Sequence, residues 1–596
     1  MSSFNFSFGA NLIGANRTRF RFWAPSKPQV SVEIDGMPPV AMTPLANGWF
    51  EAEADCGAGA RYRYRISDEL AVPDPASRAQ AGDIHGASLV CDPDSYRWRN
   101  TAWNGRPWHE TVLYELHPGV CGGFAGIMQR LPALAELGIT AVELMPVAEF
   151  PGRRSWGYDG VLPYAPDAAY GTPEQLKEMI DTAHGLGLMV FLDVVYNHFG
   201  PDGNYLGAYA APFFREDIHT PWGRAIDFRR QPVRDFFTEN ALYWLTEFRF
   251  DGLRFDAVHA ISEKDWLVEM ARRVRSAMPP GRQVHLVLEN DENLASLLER
   301  SPSRLFDAQW NDDGHHALHV LLTAESEGYY GDYSDRPAAR LARCLAEGFI
   351  YQGEASMFAG GKPRGESSSH LPPTAFVLFL QNHDQVGNRA LGERLTSLAD
   401  PSALLAASAL VLLAPQIPLL FMGDEFGATQ PFLYFTDHQT RELADAVREG
   451  RRQEFARFSA FSDPATRARI PDPNAEQTFL DSIPAPANDN AAYWQDRIKT
   501  LLDVRQARII PRLAGTRTLG ASAIGAAAVA ARWRMGNGDV LAMAINLSAT
   551  PVPLTPDAFP EAAGGTVLFE TEGTSRALSR GGLPAHSFIA ILESQK

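Results

Sequence analysis

Between residues 112 and 425 the chain carries eight short, almost continuously apolar runs, and nothing else in it narrows the fold as much. They read "VLYELH", "ITAVELMPV", "LMVFLDVVY", "FDGLRFDAV", "VHLVLEN", "RLFDAQWN", "FVLFLQNHD" and "PLLFMGDE". Amphipathic stretches such as "AGIMQRLPALAELG" and "PEQLKEMIDTAHGLG" lie between them. A strand in a parallel sheet is covered on both faces and so reads as an unbroken apolar run, and parallel strands need helical crossovers. The alternation therefore predicts an α/β sheet. Eight strands spread over about 400 residues suit a (β/α)8 TIM barrel with insertions. An open doubly wound sheet is the alternative, but no glycine-rich phosphate loop follows the first run.

At 596 residues the chain exceeds one ordinary core, and its ends have a different grammar. Residues 1–95 hold short alternating runs, "RFRFWAP", "VSVEI", "GWFEAEA" and "RYRYRI", separated by Gly, Pro and Asn. They predict an N-terminal immunoglobulin-like β-sandwich, and "VPDPASR" marks the way out of it. Residues 96–511 are expected to form the barrel, closed by a helix at "AAYWQDRIKTLLDVRQAR". Residues 512–596, with "AAAVAARWRMG", "DVLAMAINLS", "GTVLFETEG" and "SFIAILES", predict a C-terminal antiparallel β domain. The stretch "SALLAASALVLLAPQIPLLF" is long and apolar, but Pro415, Gln416 and Pro418 interrupt it. It reads as a buried helix leading into a buried strand, not as a membrane span.

A net charge of −17 argues against nucleic acid or an anionic membrane as partner. No basic start followed by an apolar run opens the chain, so no export signal is expected and a cytoplasmic location is. Cys56, Cys91, Cys121 and Cys344 are far apart and lack metal-ligand spacing, as packed, reduced thiols would be.

In a barrel the reactive groups sit at the carboxyl ends of the strands. The third run ends at Asp193, Asn197 and His198, and the fourth carries Arg254, Asp256 and His259. The fifth ends at Glu289, the sixth runs into "NDDGHHALH" with Asp313, His315 and His316, and the seventh ends at His383 and Asp384. Arg254 and Asp256 are two apart, so on a strand they point the same way. Taken singly, each residue has an ordinary explanation as a cap, an ion pair or a core histidine. Polar groups on several strand ends at once do not, because desolvated charges need partners. His315 and His319 are four apart, as metal ligands on a helix would be, but the glutamate of an "HExxH" site is missing, and no metal is expected. Three carboxylates on one rim suit glycosidic cleavage, where one attacks the anomeric carbon and another protonates the leaving oxygen.

"DVVYNH", "GLRFDAVHA", "LVLEND" and "FLQNHDQVGNR" resemble, in order and spacing, the four signature regions of the α-amylase family of glycoside hydrolases. The resemblance implies Asp256 as nucleophile, Glu289 as acid/base and Asp384 as transition-state stabiliser in a retaining mechanism. It implies contacts to the sugar or the nucleophile for His198, Arg254 and His383, and a stacking role for Tyr158 in "SWGYDG". Four further stretches, "ELMPVAEFPGRRSWGYDGV", "RFDAVHAI", "WNDDGHHALHVLLTAESEGYYGDY" and "FMGDEFG", narrow the likeness. With the leading "FWAP" and "VPDPASR", they are similar to the branch of that family that cuts the α-1,4 bond next to a terminal trehalose unit. That likeness implies maltooligosyltrehalose and maltodextrin as ligands, no cofactor, and functional pairing with a maltooligosyltrehalose synthase. His259, Asp313, His315 and His316 are the expected contacts to the trehalose unit. Glucan branching or debranching on the same scaffold is the alternative activity. An inactive α-glucan-binding protein is the alternative class, although all three acids are present.

Overall fold

The computed structural model describes residues 6–300, 304–485, 490–554 and 559–594. Eight parallel strands close into a barrel in chain order. They are β1 (Leu113–Leu116), β2 (Ala141–Leu144), β3 (Met189–Val194), β4 (Gly252–Phe255), β5 (His285–Leu288), β6 (Ala308–Trp310), β7 (Phe376–Phe379) and β8 (Ile417–Phe421). Seven fall inside the apolar runs, and β8 begins one residue ahead of its run, at Ile417. β8 pairs with β1 through Leu419 and Leu113, which completes the closure. Phe191, Trp310, Phe379, Ile417 and Leu419 fill the interior with their neighbours, so the barrel is a packed core and not a pore. Gly252 opens β4 because a Cβ there would lie 2.1 Å from the Phe191 ring.

The stretch with interrupted apolarity is the helix Pro401–Leu413 followed by β8. Asp400 caps that helix, accepting from the amides of Ser402 and Ala403 at 2.8 and 3.1 Å. Among the described residues no helix is long and apolar enough to cross a membrane.

Ahead of the barrel, two antiparallel sheets pack face to face. One is built on Gly9–Gly14, Arg17–Trp23 and Trp49–Ala54, the other on Ser31–Ile34 and Arg61–Ser67. Burial alternates along Arg17–Trp23 and Arg61–Ser67 as the two-residue period requires. Phe22 stacks on Tyr64 with centroids 4.2 Å apart, and Phe20 meets Tyr62 at 4.9 Å. The "VPDPASR" segment, read from sequence as an exit, is a buried joint. Asp74 accepts the hydroxyls of Tyr62 and Tyr64 at 2.7 and 3.2 Å. The Arg78 guanidinium lies 4.5 Å from the rings of both Tyr164 and Tyr243 in the barrel layer.

Beyond the barrel, Arg517–Gly525, Ala528–Arg534, Val540–Asn546, Ser587–Glu593 and Thr566–Glu570 form one antiparallel sheet in that order. Two excursions frame the barrel's upper face. The helix α1 (Asp312–Thr323) follows β6, and a short hairpin, Ala355–Ser356 with Lys362–Pro363, follows later in the same connection.

Candidate active site

Arg254 organises the rim. It is fully buried at the end of β4, with its guanidinium 4.4 Å from the Trp310 ring. Its Nη1 donates to Asp193 Oδ2 and Asp256 Oδ1 at 2.7 and 2.9 Å, and its Nη2 donates to Glu289 Oε2 at 3.0 Å. The ends of β3, β4 and β5 therefore converge on one cation. Asn197 adds donations to the Asp256 carbonyl and to Oδ2 at 3.0 and 2.6 Å. Burial alone would raise the Asp256 carboxyl. The charge of Arg254, then that of His198, and the hydrogen bonds from Asn197 and Arg254 outweigh it and hold the group below the usual aspartate range.

Glu289 has the opposite fate. Burial raises it well above the ordinary glutamate range, and the Asp256, Asp384 and Asp312 carboxylates add to that against the opposing charge of Arg254. Its Oε2 also accepts the Ala257 amide at 2.7 Å. Ala257 makes that donation from a left-handed backbone, φ 41°, a strained conformation for a residue with a Cβ. With two donors on Oε2, the proton of neutral Glu289 sits on Oε1.

A second relay closes the far side. His383 donates its backbone N–H to Glu115 Oε2 at 2.9 Å and its Nδ1–H to Oε1 of the same group. Its Nε2 lies 2.7 Å from the Tyr158 hydroxyl, which donates to Asp193 Oδ2 at 2.7 Å. Burial disfavours charge on His383, but Asp384 and Glu115 prevail and push it up to about 9, so the ring donates from both nitrogens. The Tyr158 ring lies against that imidazole, centroids 5.2 Å apart. His198 donates its Nε2–H to the Tyr158 carbonyl at 2.9 Å and stacks on the half-exposed Trp222 at 4.7 Å.

These groups open into a cleft of about 260 Å³ lined by Glu289, Asp384, His259, Asp312, His316 and Arg364, among others. Asp384 stands on the short helix His383–Gly387, and Asn388 donates to its Oδ1 at 3.1 Å. Of the residues expected to meet the leaving group, His259 and His316 line the cleft, while Asp313 and His315 do not. Asp313 is buried, accepting from Asn293, Ile350, Tyr351, Tyr333 and Arg364. His315 is turned to the Leu380 carbonyl and, at 3.2 Å, the Tyr330 hydroxyl. On a helix, neighbouring residues point about 100° apart, so the sequence "DDGHH" could not show which of them face the cleft. Asp312 and His316, four apart on α1, do.

The sequence reading missed Glu115, Asp312, Tyr329, Tyr333 and Arg364 as site residues. Glu115 had a signal, since a charge inside a doubly covered strand needs a partner. Arg364 had none: it lies in "GGKPRGESS", a stretch with no periodic pattern. Among the described residues no cluster of acids, histidines or cysteines is arranged to hold a metal ion.

The chain is similar to known proteins over most of its length. Residues 90–212 match the family described as "Alpha amylase, catalytic domain", and residues 516–589 match a domain of unknown function, DUF3459. A malto-oligosyltrehalose trehalohydrolase of Deinococcus radiodurans is 42% identical over 478 residues, 79% of this chain and 77% of that protein. The chain belongs to the malto-oligosyltrehalose trehalohydrolase family. The Saccharolobus solfataricus member is 40% identical, over 78% of this chain and 81% of that one. A solved Salmonella typhimurium chain, assigned provisionally as an alpha amylase, is 44% identical with a TM-score of 0.92, covering 99% of this chain and 100% of its own. The chain is thus a glycoside hydrolase of the α-amylase fold, with membership resting on most of its length.

Proposed function

We propose that this enzyme hydrolyses the α-1,4-glucosidic bond next to the terminal trehalose unit of maltooligosyltrehalose, releasing trehalose and a shortened maltodextrin with retention of configuration. The observation that carries this reading is one guanidinium, Arg254, bound to both Asp256 and Glu289, with Asp384 lining the same cleft as Glu289.

Asp256, kept ionised, attacks the anomeric carbon, and the bond to the glycosidic oxygen breaks as Glu289 Oε1 delivers its proton to that oxygen. Trehalose leaves, and a covalent glycosyl-enzyme remains. Ionised Glu289 then takes a proton from water, whose oxygen attacks the anomeric carbon and returns Asp256 as a carboxylate. Retention needs the two carboxyl groups about 5–5.5 Å apart, and a shared guanidinium supports such a spacing. Asp384 stabilises the positive charge of the transition state, and the His383 cation acts on the sugar's subsite by holding the Tyr158 hydroxyl in place.

The leaving disaccharide is bent about its 1,1 linkage, so its subsites differ from those for a straight glucan. His259, His316, Tyr329, Tyr333 and Arg364 form the wall on which it rests, and Asp313 acts on it by holding Tyr333 and Arg364 in place. A buried donor left unpaired by the wrong substrate costs about 1–3 kcal/mol, so two or three such contacts discriminate strongly. The substrate is taken to come from a maltooligosyltrehalose synthase in the cytoplasm.

Incubation with maltooligosyltrehalose and, separately, with amylose, followed by product analysis, tests the reading. Free trehalose from the first, with its maltodextrin partner released as the α-anomer, is expected. Branched glucan from amylose, or inverted product, would overturn it.

A further inference from the structure

A second hollow, larger than the cleft, lies away from it. A groove of about 690 Å³ runs along the seam between the barrel and the C-terminal sheet. The catalytic cleft measures about 260 Å³ and shares no lining residue with it. One wall comes from the start of the helix Ala491–Val504, with Tyr493 and Arg497, and from Ser402. The other comes from Glu570, Glu572 and His586 of the C-terminal domain.

Tyr493 is 48% exposed, one of the few large aromatic rings on the described surface left so open. Arg497 sits 5.2 Å from its centroid. The Arg497 Nε is buried with no hydrogen-bond partner among the described residues, and such a donor is costly unless something supplies an acceptor. His586 lines the opposite wall with a left-handed backbone, φ 45°, and its Nδ1 lies 3.0 Å from Asp400 Oδ1. Strain of this kind in a non-glycine residue gathers at functional sites. It fixes the two walls relative to each other through Asp400, the residue that also caps the barrel helix.

Arg497 on one wall faces Glu570 and Glu572 on the other, and the rest of the lining is neutral polar or apolar apart from His586. An open aromatic ring beside planar donors and acceptors suits the alternating apolar faces and hydroxyl edges of a sugar chain. We propose that this groove is a second, non-catalytic site for an α-1,4-glucan chain of several glucose units, with Tyr493 as its stacking platform. The inference rests on the reading that the substrate carries a maltodextrin chain. The site would hold long dextrins on the enzyme and raise their local concentration at the cleft.

Maltoheptaose added to the Asp256→Ala enzyme, which turns nothing over, is the probe. Hydrogen exchange is expected to slow at residues 569–572 and 584–587, apart from any change around the cleft. Tyr493→Ala is expected to weaken that effect about tenfold in maltoheptaose concentration, whereas Tyr493→Phe keeps it. In otherwise wild-type enzyme, Tyr493→Ala should raise KM for long trehalose-ended dextrins and leave kcat and the shortest substrate unchanged. No slowing at those segments, or slowing that Tyr493→Ala leaves intact, overturns the second site. Slowing at those segments, together with no trehalose released by the wild-type enzyme from maltooligosyltrehalose, overturns the proposed activity and leaves the groove standing.

Discussion

At the scale of single residues, two carboxyl groups that share one arginine are driven apart in acidity. The Asp256 carboxylate takes one donation from Asn197 and one from Arg254, whereas Glu289 faces three acidic neighbours and burial. In the proposed mechanism the working form has Asp256 ionised and Glu289 protonated, so kcat/KM should be bell-shaped. Acid protonates Asp256, and the acid limb is expected below the ordinary aspartate value of about 3.9. Alkali ionises Glu289, and that limb is expected well above the ordinary glutamate value of about 4.3. His383 loses its proton near 9, which adds an alkaline limb of its own. A pH profile of the residual rate of Glu289→Gln checks the assignment: the alkaline limb of Glu289 should vanish and leave only that of His383. Its survival would give the acid's role to another group.

At the scale of elements, α1 does two jobs with adjacent residues. Asp312 and His316 line the cleft, while Asp313 faces inward and ties the segments around 293, 333, 350 and 364 together. Replacing it takes the acceptor from Arg364 Nη1 and from the amides of Ile350 and Tyr351. Asp313→Ala is expected to cost about 3–5 kcal/mol of stability, read as a lower urea midpoint. It should also raise KM for the trehalose-ended substrate more than it lowers kcat. An unchanged midpoint would show that this node holds nothing. The sequence announced α1 as a helix with a polar start, but which of Asp312, Asp313, His315 and His316 reach solvent depends on how the helix is rotated against β7. Only packing sets that rotation.

For the whole molecule, the sandwich and the barrel share a buried cation. Arg78 lies against Phe6, Tyr164 and Tyr243 and donates to the Phe8 carbonyl at 3.2 Å, and Glu239 of the barrel accepts the Ser7 amide at 2.7 Å. A desolvated cation over aromatic rings is worth about 2 kcal/mol or more. Calorimetry of the intact chain is expected to show the sandwich and barrel melting together. Arg78→Ala should split off an earlier transition for the sandwich. One transition at an unchanged temperature would show that the seam does not couple them.

The eight barrel strands, the flanking β segments and the four rim motifs were legible because they rest on local physics. Two-sided burial writes itself as apolar runs, and a strand's two-residue period tells which neighbours share a side. The choice of Asp256, Glu289 and Asp384 among the strand-end acids came instead from the resemblance to the α-amylase signature regions. What the chain order could not encode is convergence across hundreds of residues. Glu115 meets His383, Arg364 meets Asp313, and "VPDPASR" becomes a joint instead of a linker only when the closed barrel brings their elements side by side. The same closure decides which carboxyl keeps its proton, because acidity follows burial and neighbouring charge, and both are properties of the assembled fold.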